Sequence, residues 1–140
     1  QVDYETAQHR TVLIEAAEAG VVDFVSDLVK WGESVDYETL LGRTALTQAA
    51  LAGSVDSVAA LCWSGVTVDY QNKDGYTSLM QVVAAARVDM IPVLTSKGAN
   101  PDLENKNHET PLFLAVSTGN TVAVSALVDC GATLDKENSK

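Results

Sequence analysis

Hydrophobic positions return along this chain every 33 residues. One series runs Leu13, Leu46, Leu79 and Leu112, and another runs Leu28, Leu61, Leu94 and Leu127. Within the last interval, Leu112, Ala115 and Val116 have the i, i+3, i+4 spacing of a buried helical stripe. Val122, Val124, Leu127 and Val128 form a second stripe. Polar and small residues keep the same register. Thr11, Thr44, Thr77 and Thr110 precede the first stripe, Gly32, Gly65, Gly98 and Gly131 follow the second, and Asp36, Asp69, Asp102 and Asp135 lie in the connection. Aligned positions at a fixed period of this length mark a stacked array of one small structural unit.

Each copy reads as turn, short helix, turn, second helix and extended loop. In the fourth, Asn105-Lys106-Asn107-His108 is turn-prone, and Thr110-Pro111 reads as an N-cap followed by proline at the first helical position. Gly119 ends the first helix and Gly131 the second. Neither helix reaches the ~12–15 residues at which an isolated helix is marginal in water. The stripes must therefore be buried against neighbouring copies. The pairs Ala16-Ala17, Ala49-Ala50 and Ala115-Val116 permit close helix approach.

The pattern resembles the ankyrin repeat, a 33-residue helix-turn-helix unit opened by a projecting hairpin, with a Thr-Pro-Leu-His signature. The matching segments are Thr11-Val12-Leu13-Ile14, Thr44-Ala45-Leu46-Thr47, Thr77-Ser78-Leu79-Met80 and Thr110-Pro111-Leu112-Phe113. The resemblance implies an all-α, ankyrin-type helix-turn-helix repeat solenoid with projecting hairpin loops. Residues 1–140 read as a single repeat domain, with copies at about 6–38, 39–71, 72–104 and 105–137. Val2-Asp3-Tyr4-Glu5-Thr6 recurs as Val35-Asp36-Tyr37-Glu38-Thr39, and a further hairpin begins at Leu134-Asp135. The sequence is thus expected to be a piece of a longer array.

Departures from the family pattern carry their own expectations. The signature proline survives at Pro111 alone, and the histidine is replaced by Ile14, Thr47, Met80 and Phe113. In the family that histidine helps tie hairpin to helices, so these hairpins are expected to rely more on apolar packing and to be looser. The third copy has Ala86 where the others have Gly20, Gly53 and Gly119, and Pro92 falls into its second helix. A proline beyond the first turn costs about 3 kcal/mol. A late-starting or kinked helix is therefore predicted around Val88–Leu94.

Charge and composition narrow the function. Nineteen acids against nine bases give −10, which argues against a nucleic-acid backbone as partner. The same imbalance favours a basic partner through long-range attraction, besides keeping the protein soluble. No apolar run approaches the ~18 residues that span a bilayer, so direct membrane insertion is not expected. Cys62 and Cys130 lie about two copies apart, roughly 20 Å for stacked helices, too far for a disulfide. Reduced thiols fit an intracellular, cytoplasmic chain.

No catalytic constellation emerges, and neither a cofactor nor a metal is implied. His9 and His108 are three copies apart, and the Asp series offers one carboxylate per copy where calcium needs six to eight oxygens. Those aspartates are read as shaping their own loops through local hydrogen bonds. By resemblance, the binding surface is the concave face of hairpin tips and first helices. Transferred to this sequence, it comprises Tyr37, Leu40, Leu41, Arg43, Tyr70, Lys73, Asp74, Tyr76, Asn107 and Glu109. Leu40-Leu41 stands out as an apolar pair where other copies are polar, either exposed for interaction or packed on a neighbour. Tyr4, Tyr37 and Tyr70 either join adjacent hairpins or offer contact area to a partner. Trp31 and Trp63, at the ends of second helices, are expected to fill the core at copy junctions, the alternative being a second binding surface. The implied function is non-catalytic recognition of a protein or peptide with basic and apolar features. The alternatives are a structural spacer in a larger protein, or a module that self-associates through uncapped ends.

Overall fold

Helix pairs stand where the period places them. The computed structural model describes residues 12–31 and 35–134. The features noted at Tyr4, His9, Thr11, Gly32 and Asp135 lie outside these residues. The described residues hold α1 (Val12–Ala19), α2 (Val22–Lys30), α3 (Ala45–Leu51), α4 (Val55–Trp63), α5 (Ser78–Ala84), α6 (Ile91–Ser96), α7 (Pro111–Ser117) and α8 (Thr121–Asp129). A 3-10 turn, Val88–Met90, precedes α6. Contacts gather into two compact units, Gln1–Val68 and Asp69–Lys140.

In the first unit α1 packs on α2 and α3, and α4 packs on α2 and α3. Leu13, Ile14, Val25 and Leu28 are buried there with Leu46, Val58 and Leu61. Full burial of each such side chain contributes roughly 1.5–3 kcal/mol. Ala16, Ala17, Ala49 and Ala50 are all buried, as close helix approach requires. In the second unit α5 packs on α6 and α7, and α8 packs on α6 and α7. Its core holds Leu79, Met80, Ile91, Leu94, Ala115, Ala123 and Leu127.

The threonine series is a capping series. Thr44, Thr77 and Thr110 are extended N-caps whose side chains accept from the backbone N–H of Thr47, Met80 and Phe113. Such a cap contributes about 1 kcal/mol. At the other end, Gly20, Gly53 and Gly119 adopt positive φ. Gly119 N–H donates to Val116 O at 3.0 Å and Asn120 N–H to Ala115 O at 3.1 Å. These two bonds satisfy carbonyls that the helix leaves unpaired.

Ala86 closes α5 in the same way despite its Cβ. Its φ is 60°, and Ala86 N–H and Arg87 N–H donate to Val83 O and Val82 O. The proline has the predicted effect. The equivalent helices begin at Val22, Val55 and Thr121, but α6 begins at Ile91, after the 3-10 turn. Pro92 thereby falls in the first turn of α6, where its missing N–H breaks no helical bond.

Candidate functional site

Three hairpin turns among the described residues are built on one polar side chain each. In the third copy Asn72 Oδ1 accepts from the N–H of Asp74 at 2.9 Å and of Tyr76 at 3.0 Å. In the fourth, Asn105 Oδ1 accepts from Asn107 at 2.9 Å and Glu109 at 3.0 Å. Thr39 holds the same register in the second copy, where its hydroxyl accepts from Arg43 N–H at 3.2 Å. Each turn is closed by a backbone pair, such as Thr39 N–H to Arg43 O and Gly42 N–H to Thr39 O, both 2.9 Å. Gly42, Gly75 and His108 occupy the left-handed position of these turns.

The turns hold the candidate residues in distinct environments. Leu40 and Leu41 lie at the tip of the second-copy turn, 65% and 76% exposed. Tyr37 and Arg43 beside them are half-buried, and Arg43 Nη1 donates to Gln48 Oε1 at 3.4 Å. In the second unit Lys73, Asp74 and Asn107 are exposed, while Tyr70, Tyr76 and Glu109 are half-buried. Glu109 Oε1 accepts from Asn105 Nδ2 at 3.0 Å, so its carboxylate helps shape its own turn. Two hydrogen bonds bring the third and fourth hairpins together. Lys106 N–H donates to Asp74 O at 3.1 Å, and Gln71 Nε2 to Glu104 O at 2.8 Å.

A family model described as ankyrin repeats, three copies, matches residues 58–138. The chain belongs to the ankyrin repeat family. Ankyrin repeats are in general protein-interaction modules and typically lack catalytic activity. A search of curated proteins finds no match to this chain. Among the described residues no group of His, Cys, Asp and Glu is placed to hold a metal ion. No helix there is long and apolar enough to cross a membrane.

Two expectations for this ankyrin chain need correction. The tryptophans do not fill the core: Trp63 is 93% exposed and Trp31 is also exposed. Trp63 lies two residues beyond the buried Leu61, which at 3.6 residues per turn turns it about 200° away from the core. The aspartates are not confined to their own loops. Asp36 accepts from Thr67 N–H at 3.3 Å and Thr67 Oγ1 at 2.8 Å. Asp69 accepts from Asn100 N–H at 2.9 Å, and Asp102 from Thr133 N–H at 2.9 Å and Thr133 Oγ1 at 2.6 Å. Each bond spans 31 residues and joins one copy to the next. The substituted histidine position also differs from copy to copy. Ile14 and Met80 are buried, Thr47 pairs its hydroxyl with Thr44 at 3.2 Å, and Phe113 is 43% exposed.

The turn-building side chains Thr39, Asn72 and Asn105 escaped sequence reasoning as functional scaffolding. The period alone aligns them, and Asn at a turn start is a known signal for a side-chain-capped turn.

Proposed function

We propose that this ankyrin domain recognises a protein segment with an apolar anchor flanked by basic residues, through the Leu40–Leu41 tip of its first unit. The observation that carries this reading is the exposure of both leucines on an ordered turn. The equivalent residues are Lys73-Asp74 and Lys106-Asn107, so the fold does not require apolar side chains there. Adjacent exposed large aliphatics on a hydrogen-bonded turn support an interaction site there. Charge favours the basic flank. Residues 1–68 hold ten acids and three bases, a balance of −7, against nine acids and six bases in residues 69–140. The remaining candidates, Tyr37, Arg43, Tyr70, Lys73, Asp74, Tyr76, Asn107 and Glu109, form the polar surroundings of such tips.

Selection from a displayed peptide library tests the reading. The selected peptides should pair a large apolar residue with Lys or Arg. Leu40→Ser/Leu41→Ser should weaken the best of them about tenfold or more, the loss of roughly half of one leucine burial per residue. Retained affinity in the folded double variant would remove the tip from the binding surface.

A further inference from the structure

A glutamine buried in a helix stripe is costly unless both ends of its amide are hydrogen-bonded. Gln48 of α3 is 5% exposed, and both ends are bonded. Its Oε1 accepts from Arg43 Nη1 at 3.4 Å, and its Nε2 donates to Glu18 Oε2 at 3.1 Å. Arg43 closes the turn that presents Leu40 and Leu41, through its carbonyl and its N–H to Thr39. Glu18 lies on α1, one copy earlier. One amide therefore links the leucine tip of the second copy to a carboxylate of the first, all within the first unit.

The linkage is particular to this place in the chain. The register counterparts of Gln48 are Glu15, Gln81 and Leu114, and those of Glu18 are Leu51, Ala84 and Ser117. Among first helices, α1 carries Glu15 and Glu18, whereas α3, α5 and α7 carry no charged side chain. The repeat thus requires neither the acid nor the amide at these positions. Glu15 and Glu18 are both exposed and stand three residues apart, on one face of α1. Arg43 polarises the amide carbonyl, which makes the amide N–H a stronger donor. The amide itself is neutral, so it orients the Glu18 carboxylate without cancelling its charge. Two residues of backbone and the Arg43 side chain separate Leu41 from that amide, on the order of 10–15 Å, which an extended segment covers in about three to five residues.

We infer that Glu18 sets the specificity of this surface for a Lys or Arg about three to five residues from the apolar anchor, and that Gln48 is its positioning residue. The inference rests on recognition at the Leu40–Leu41 tip and names the side chain that reads the basic flank. A segment seated on the two leucines and running toward α1 carries its basic side chain over a carboxylate already held in place. Arg43 lies across the neutral amide from that carboxylate, so the two charges of the protein meet the segment at different points.

The test is selection from a displayed library of random short peptides, run in parallel on the wild type and on Glu18→Gln. Glutamine keeps an acceptor for the Gln48 amide and removes the charge, and circular dichroism checks folding. Both selections should enrich a large apolar residue, and only the wild type should enrich Lys or Arg at the stated spacing. The best lysine-bearing peptide and its norleucine analogue then complete a cycle by calorimetry. Glu18→Gln should weaken the lysine peptide about two- to fivefold, the range of an exposed ion pair, and leave the norleucine analogue unchanged. Gln48→Leu should do the same, since it releases the carboxylate without removing it. A purely structural amide would instead weaken both peptides alike. Basic residues enriched equally by both proteins, or equal effects on the two peptides, would overturn the inference and leave the leucine tip standing. A wild-type selection that yields no peptide, or peptides that Leu40→Ser/Leu41→Ser binds equally well, would overturn recognition at the tip and this inference with it.

Discussion

Ala86 shows how a single residue bears strain that its neighbours avoid. A left-handed non-glycine residue costs about 1–2 kcal/mol, and glycine returns part of the gain through its freer unfolded state. Ala86→Gly is expected to stabilise the protein by about 0.5–1 kcal/mol, measured as a higher denaturant midpoint with unchanged slope. Ser57 offers a second test. Its Oγ is buried and makes no hydrogen bond in the structure. Ala123 fills the same register without a hydroxyl, so Ser57→Ala should be neutral or stabilise by up to about 1 kcal/mol, read by thermal melting. Both positions were legible as places, since the register aligned Ala86 with three glycines. The idle hydroxyl of Ser57 was not, because sequence does not tell which neighbour a buried side chain meets.

The hairpins depend on contacts that a single added methyl would disturb. A Cβ on Gly75 would lie 2.7 Å from Lys106 N and 2.9 Å from Asn105 Cα, whereas at Gly98 it would meet nothing within 4 Å. Both glycines have positive φ. Gly75→Ala should therefore cost at least about 2 kcal/mol, and Gly98→Ala only the backbone strain of about 1–2 kcal/mol. The comparison of their unfolding free energies isolates the approach of the fourth hairpin to the third. Asp102→Ala should cost about 1 kcal/mol in the same assay, because its two bonds to Thr133 are solvent-exposed. Helix starts, caps and the delayed α6 were all legible, because they follow from local backbone chemistry at Thr, Gly and Pro. The reach of Asp36, Asp69 and Asp102 was not, because period alone does not distinguish a bond within a copy from one between copies. Trp63 is a different case. Its angular distance from Leu61 already pointed it outward, and its place at a helix end obscured that.

For the whole molecule, charge bears on the proposed recognition. A basic peptide at Leu40–Leu41 is drawn to a surface whose first 68 residues carry −7, so its affinity should fall as salt rises. Titrations at low and high ionic strength check this, and an affinity that does not change with salt would remove charge from the proposed recognition. The repeat frame was fully legible in the sequence. The surfaces it leaves open were legible only in part, since Leu40–Leu41 broke the pattern visibly while Phe113 and Val116 conformed to it and still stand exposed.

The aspartate bonds bear on how such a chain can change. Asp102 accepts from a residue 31 positions on, as Asp36 and Asp69 do. The second and third copies thus each offer an acceptor forward and a donor backward. Duplicating or excising a stretch of 33 residues preserves the bonding of what remains, whereas one residue inserted between Asp102 and Thr133 severs it. Lineages descended from such a chain should vary in copy number far more readily than in repeat length.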